Sequence, residues 1–166
     1  IYTTNYDRWI EKAFDYYKKP YQKIIGIHDF TQSVSGTTKI VKYHGDFDDD
    51  SSIVLTETSY FDRLDLNTAL DVKLRADSLG KSLLFLGYSL NDLDIRFLLY
   101  KLQLLWRHDL SSVQPTSYVF LTEDNPIKRK VLESRNIQTI ASNESDPGKA
   151  LEFFLEKLVH EVKKRI

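Results

Sequence analysis

The sequence predicts an α/β fold, a parallel sheet with helices on both faces. Strand-like and helix-like segments alternate along most of its 166 residues, the order that builds parallel sheets. The run Leu83-Leu84-Phe85-Leu86 is apolar at every position, as a strand covered on both faces is. Short polar motifs also follow apolar strand-like runs, and open α/β sheets bind ligands just beyond the carboxyl ends of their strands.

The elements follow in chain order. Ile1-Tyr2 reads as the tail of a strand already under way. Trp9, Ile10, Ala13, Phe14 and Tyr17 recur at helical spacing between Asn5 and Tyr17, and Pro20 ends that helix. Ile24, Ile25 and Ile27 make Lys23 to His28 a strand. Thr31 to Thr38 is a polar loop, Ile40 to Tyr43 a strand, and Ser52 to Leu55 a further short one. A helix begins near Thr56, and a longer one runs from about Asn67 to Ser78 and stops at Gly80. Ser82 to Leu86 is the central buried strand. Asn91 to His108 is a long helix, apolar on most of its circumference, which is buried on several sides or lies in an interface. Tyr118 to Leu121 is a strand, and Asp124 or Asn125 then caps a helix with Pro126 at its first position. Ile137 to Ile140 is a strand, and Asp146 caps the last helix, with Pro147 first and Lys163-Lys164-Arg165 at its negative end.

Composition bounds the function. The length suits one domain, and 42% hydrophobic residues fill a core. Lys plus Arg number 23 and Asp plus Glu 24, a net charge of −1. That balance gives no drive toward nucleic acid or anionic lipid, and no apolar run approaches a membrane span. There is no cysteine, so thiolate zinc sites and disulfides are impossible and a reducing, cytoplasmic setting is expected. There is no methionine either. The expectation is a fragment that lacks at least one N-terminal element.

Three motifs carry candidate chemistry: Thr3-Thr4-Asn5-Tyr6-Asp7, Lys42-Tyr43-His44-Gly45-Asp46 and Gly87-Tyr88-Ser89-Leu90-Asn91. Each also has a plainer reading. Asn5 and Asp7 are residue types that cap helices. His44 is a lone histidine, more often structural than catalytic, and Gly45 permits a tight turn or a close approach. His28, at a strand end, is a candidate to orient a site residue without touching the ligand, while His108 and His160 look ordinary. Backbone amides around Gly87 and Ser89 suit a phosphate at a helix start, or no ligand at all. Asp46, Asp48, Asp50 and Glu57 match positions of a calcium loop, but Ser51 replaces its turn glycine and a strand precedes it. That segment reads as a solvated acidic loop, and Lys128, Arg129 and Lys130 as a solvated helix face.

Together the motifs resemble the SIR2-like family, in its bacterial anti-phage defence branch. Thr3 to Asp7 is similar to that branch's TTNYD motif, Tyr43-His44-Gly45 to its HG motif, and Ile53-Val54-Leu55-Thr56-Glu57 with Tyr60 to the stretch that follows. Gly87-Tyr88-Ser89-Leu90 with Asp92 is similar to its GYSLxD motif. The resemblance implies a Rossmann-like SIR2 domain over residues 1–166 that lacks its N-terminal glycine-rich segment. It also implies an NAD-cleaving member without the zinc ribbon of the deacylases. Asn5 and His44 are then the catalytic candidates, and Thr4, Asp7, Gly45, Gly87, Tyr88 and Ser89 the NAD-binding ones. NAD is implied as the substrate and a homo-oligomer as the state, with a sensor domain or phage-derived activator as partner. Two rivals stand beside this reading: a module that senses NAD or another nucleotide without cleaving it, and an assembly domain using the Asn91–His108 helix. The enzymatic reading requires Asn5 and His44 to converge on one pocket.

Overall fold

The computed structural model describes residues 1–32, 34–88, 92–107 and 114–165. They form an α/β structure in two compact units, Ile1–Arg75 and Ala76–Ile166, each built on its own parallel three-stranded sheet. Among the described residues no helix is long and apolar enough to cross a membrane.

The first unit runs β1 (Tyr2–Thr3), α1 (Trp9–Tyr16), β2 (Tyr21–Ile24), α2 (Ile27–Thr31) and β3 (Thr38–Lys42). A 3-10 turn at Asp50–Ser52, α3 (Glu57–Asp62) and the start of α4 (Ala69–Gly80) follow. Its sheet has the order β1-β3-β2. Successive residues of a strand face opposite sides, and Ile40 and Val41 are both buried, so β3 is covered on both faces.

Acidic side chains explain where the segments depart from the predicted bounds. The strand predicted over Lys23 to His28 stops at Ile24. The Asp29 carboxylate accepts the Ile25 and Gly26 N–H groups at 2.7 and 3.0 Å and turns the chain into α2. His28 therefore lies in a helix, not at a strand end, and its Nε2 sits 3.0 Å from Gln32 Nε2. No strand forms over Ser52 to Leu55. Asp49 accepts the Ser51 N–H, and its carbonyl accepts the Ser52 hydroxyl at 2.6 Å, winding the 3-10 turn. Thr68 and Asp71 bond reciprocally ahead of α4, so that helix starts at Ala69 rather than near Asn67.

The second unit runs β4 (Leu84–Phe85), α5 (Leu93–Arg107), β5 (Ser117–Leu121), α6 (Pro126–Glu133), β6 (Ile137–Ala141) and α7 (Pro147–Lys163), with sheet order β4-β5-β6. Here a prediction is overturned. The run Leu83 to Leu86 is not a buried central strand: only two residues are extended, they pair with β5, and Leu84 and Leu86 are 39% and 37% exposed. The centre belongs to β5, whose Val119, Phe120 and Leu121 are all buried. Val119 and Leu121 pack with Leu132 and Ile137, and Phe85, Tyr88 and Leu99 close that core. Phe154 of α7 stacks on Phe120 at 4.7 Å. In α5, Ile95, Leu98 and Leu102 form one buried stripe while Leu93, Tyr100 and Leu105 are exposed. Its predicted ends, Asn91 and His108, lie outside the described residues.

Candidate functional site

Strand register builds the site. β1 pairs with β3 in parallel, Tyr2 opposite Val41 and Thr3 opposite Lys42. Asn5 and His44 each lie two residues beyond that last pair, so both leave the sheet at the same edge. The Tyr43 N–H donates to the Thr3 carbonyl at 2.8 Å and extends the pairing one step further. Thr4, Asn5, Asp7, His44 and Gly45 are thus gathered at the carboxyl ends of two neighbouring strands.

Further bonds lock the two loops together. The Phe47 N–H donates to the Tyr6 carbonyl at 3.1 Å, and the Tyr6 hydroxyl donates to the Val54 carbonyl at 2.7 Å. The Tyr6 and Phe47 rings lie 5.6 Å apart. Within the first loop, Asp7 Oδ1 accepts the Trp9 N–H at 3.0 Å. This is an Asx turn just ahead of α1; the N-cap position itself is Arg8, which makes no side-chain cap bond. Asn5 caps nothing in α1: its N–H donates to Thr3 Oγ1, and its side chain is exposed.

His44 is 2% exposed. Its ring lies 5.3 Å from that of Tyr60 and 5.5 Å from that of Tyr43, and its Nδ1 is 3.4 Å from the Tyr60 hydroxyl. Its carbonyl accepts the Val54 N–H. Tyr43 is anchored by Asp71, which accepts from the Tyr43 hydroxyl and, at 2.7 Å, from Arg63 Nη2. Arg63 Nη1 donates to the Tyr43 carbonyl, and its guanidinium stacks 4.2 Å from the Tyr43 ring centre. The residue before His44 is therefore held by both its backbone and its side chain.

A buried ionic cluster that sequence spacing does not announce lies beside the loops. Lys42, Glu11 and Asp46 are all within 1% of full burial. Lys42 Nζ donates to the Asp7 carbonyl and pairs with Glu11 Oε1 at 3.5 Å and Asp46 Oδ2 at 3.4 Å. Lys23 pairs with Asp46 at 3.2 Å and Asp48 at 2.9 Å, and Arg8 meets Asp48 at 3.5 Å. Burial works against the Asp46 charge. The Asp48 N–H, Lys23 and Lys42 outweigh it and hold the carboxyl below its ordinary 3.8. Burial likewise works against the Lys23 charge, yet its bonds to Asp48 and Asp46 hold the ammonium above 10.5. The visible signal is a lysine directly after Ile40 and Val41, the two buried apolar residues of β3.

The third motif lies in the second unit. Gly87 has φ +58, a left-handed turn that favours glycine, and open space where a Cβ would stand. Tyr88 stacks on Phe85 at 6.0 Å and contributes to the core. Ser89 lies outside the described residues. A separate polar groove, lined by Arg129, Glu133, Asn136, Gln138 and Thr139 among others, follows β6 and contains none of the motif residues.

The SIR2-like domain family profile matches residues 1–140. The chain is 36% identical over 110 residues to a protein of Cytobacillus dafuensis named NAD(+) hydrolase ThsA, a match over 65% of this chain and 22% of that one. A protein of the same name from Enterococcus faecium is also 36% identical over 110 residues, covering 65% of this chain and 23% of its own length. A third, from Acinetobacter baumannii strain 532279, is 33% identical over 105 residues, 62% of this chain and 22% of that protein. The chain thus spans less than a quarter of the length of the relatives it matches.

Proposed function

The chain belongs to the SIR2-like family, and from that membership we propose that it forms part of an NAD+ hydrolase in anti-phage defence. It breaks the bond between nicotinamide and ribose. The observation that carries this reading is the β1–β3 register, which sets Asn5 and His44 at adjacent strand ends. Three relatives named NAD(+) hydrolase support it.

The chemistry suits an amide and an imidazole. When the C1′–N bond breaks, its electron pair leaves with nicotinamide and positive charge builds on the ribose. Asn5, exposed at the loop tip, holds the nicotinamide end and orients a water. His44 contacts the ribose hydroxyls and takes the proton as that water adds to C1′. The products are nicotinamide and ADP-ribose. Thr4, Asp7 and Gly45 lie at the same strand ends, and the family resemblance makes Gly87, Tyr88 and Ser89 the candidates for the phosphate-ribose region. The protein works as a cytoplasmic homo-oligomer, silent until a sensor domain or phage-derived activator releases it. An imidazole that is 2% exposed meets a ribose only when a side chain over it moves aside, which suits an enzyme kept off until triggered.

The same burial favours a second reading, a nucleotide-sensing module that does not cleave. One assay separates them: NAD consumption by the native full chain, with and without an activating partner. As a hydrolase it loses at least about 100-fold in turnover in Asn5→Ala and in His44→Ala, with an unchanged circular dichroism spectrum. Equal turnover in both variants removes these residues from the mechanism, and nucleotide binding without product favours the sensor.

A further inference from the structure

Lys42 meets the polar loop, α1 and the segment after β3 at one point. Its backbone is the register partner of Thr3, so β1 leaves the sheet beside it. Its ammonium, with no exposed surface, bonds the Asp7 carbonyl and pairs with Glu11 on α1 and Asp46 after β3. Asn5 therefore hangs between Thr3, whose carbonyl accepts the N–H of Tyr43 next to Lys42, and the Tyr6-Asp7 pair, in which the Asp7 carbonyl accepts from the Lys42 ammonium.

Fold stability alone does not call for a charge here. The start of α1 already has a local carboxylate partner, since Asp7 takes the Trp9 N–H. A buried lysine carries a desolvation cost that an apolar side chain of similar volume avoids. What only the ammonium supplies is a directed bond to a loop carbonyl, held in place by a carboxylate on each side. Charge in the wider cluster is balanced, Arg8, Lys23 and Lys42 against Glu11, Asp46 and Asp48.

We propose that Lys42 is a positioning residue, whose ammonium fixes the Thr3–Asp7 loop so that the Asn5 amide is held beside the end of β3. Its effect on turnover rests on the hydrolase reading; its effect on the loop does not. Lys42 acts through Asn5 and touches no substrate itself.

The test must spare the fold. Lys42→Met alone leaves Glu11 and Asp46 without their shared cation, so it is combined with Glu11→Gln, which leaves Asp46 paired with Lys23. The reference is Glu11→Gln alone, in the native full chain. Hydrogen exchange at the Asn5 and Phe47 amides, the two that report on the loop bonds, quickens at least about tenfold in the double variant, the equivalent of one lost charge-assisted bond. Exchange in β5 stays as it was. NAD turnover falls about 100-fold in kcat, with KM little changed, as a misplaced group rather than weakened binding demands.

Equal loop exchange in the two variants overturns the proposal whatever the turnover does. So does β5 exchange rising in step with the loop, which marks plain destabilisation. A loosened loop with undiminished kcat overturns it as well. If the wild-type chain and its activating partner cleave no NAD, the hydrolase reading falls, and loop exchange alone decides the role of Lys42.

Discussion

A methyl group at position 45 would stand 2.5 Å from the Ser52 carbonyl oxygen, 2.6 Å from its carbon and 2.7 Å from Ile53 Cα. All three are backbone atoms, so no side-chain rotation relieves the clash. Gly45 also has φ +102, a conformation that side chains resist. Gly45→Ala therefore destabilises the chain by about 2 kcal/mol or more, read as a lower urea midpoint; an unmoved midpoint contradicts the packing described. Individual residues were also the most legible part of the sequence. The register brings Asn5 and His44 to the carboxyl ends of neighbouring strands, and Asp7 turns the chain one residue ahead of the cap position its residue type suggested. The burial of His44 was not legible, because Tyr60 reaches it through tertiary packing rather than sequence adjacency. Lys42 was hidden for a related reason: a lysine is ordinarily solvated, and only the fold brings Glu11 and Asp46 to it.

Helix starts show what local chemistry can announce. Asn125 accepts the Ile127 and Lys128 N–H groups at 3.1 and 3.0 Å, and Asp146 accepts that of Lys149 at 2.9 Å. Each precedes a proline at the first helical position. Those two helices begin where the sequence placed them because the whole signal is contiguous. Asn125→Ala costs about 1 kcal/mol, measurable as a shifted chemical-denaturation midpoint, and no shift means the cap bonds do not form in solution. Strands were read less well. Apolar content pointed to Leu83–Leu86 as the sheet centre, yet β3 and β5 hold the central places. Hydrophobicity reports burial, while order within a sheet depends on pairing between distant segments. The segments around Asp29 and Asp49 misled because one carboxylate turning the backbone outweighs two or three β-branched residues.

Over the whole molecule, the near-equal charge count leaves little net repulsion at neutral pH, and particular ion pairs contribute to how stability changes toward either extreme. Asp46 has its folded pKa below the 3.8 of the unfolded chain. Its contribution is therefore complete above that value and drains away as pH falls through the folded one. Lys23 is the opposite case: its folded pKa lies above 10.5, so its contribution is full below that and is lost as pH rises through the folded value. Lys23→Met removes one of the two cations that hold Asp46, so its acid unfolding midpoint moves to higher pH. An unchanged acid limb, followed by tryptophan fluorescence, counts against the cluster. The β1–β3 register has a last consequence. Lateral pairing, not the length of chain between the two motifs, sets their proximity. Insertions in the Gly36 loop or at Lys18-Lys19 are therefore absorbed at the surface, whereas one added residue between Thr3 and Asn5, or between Lys42 and His44, puts the two strand ends out of step.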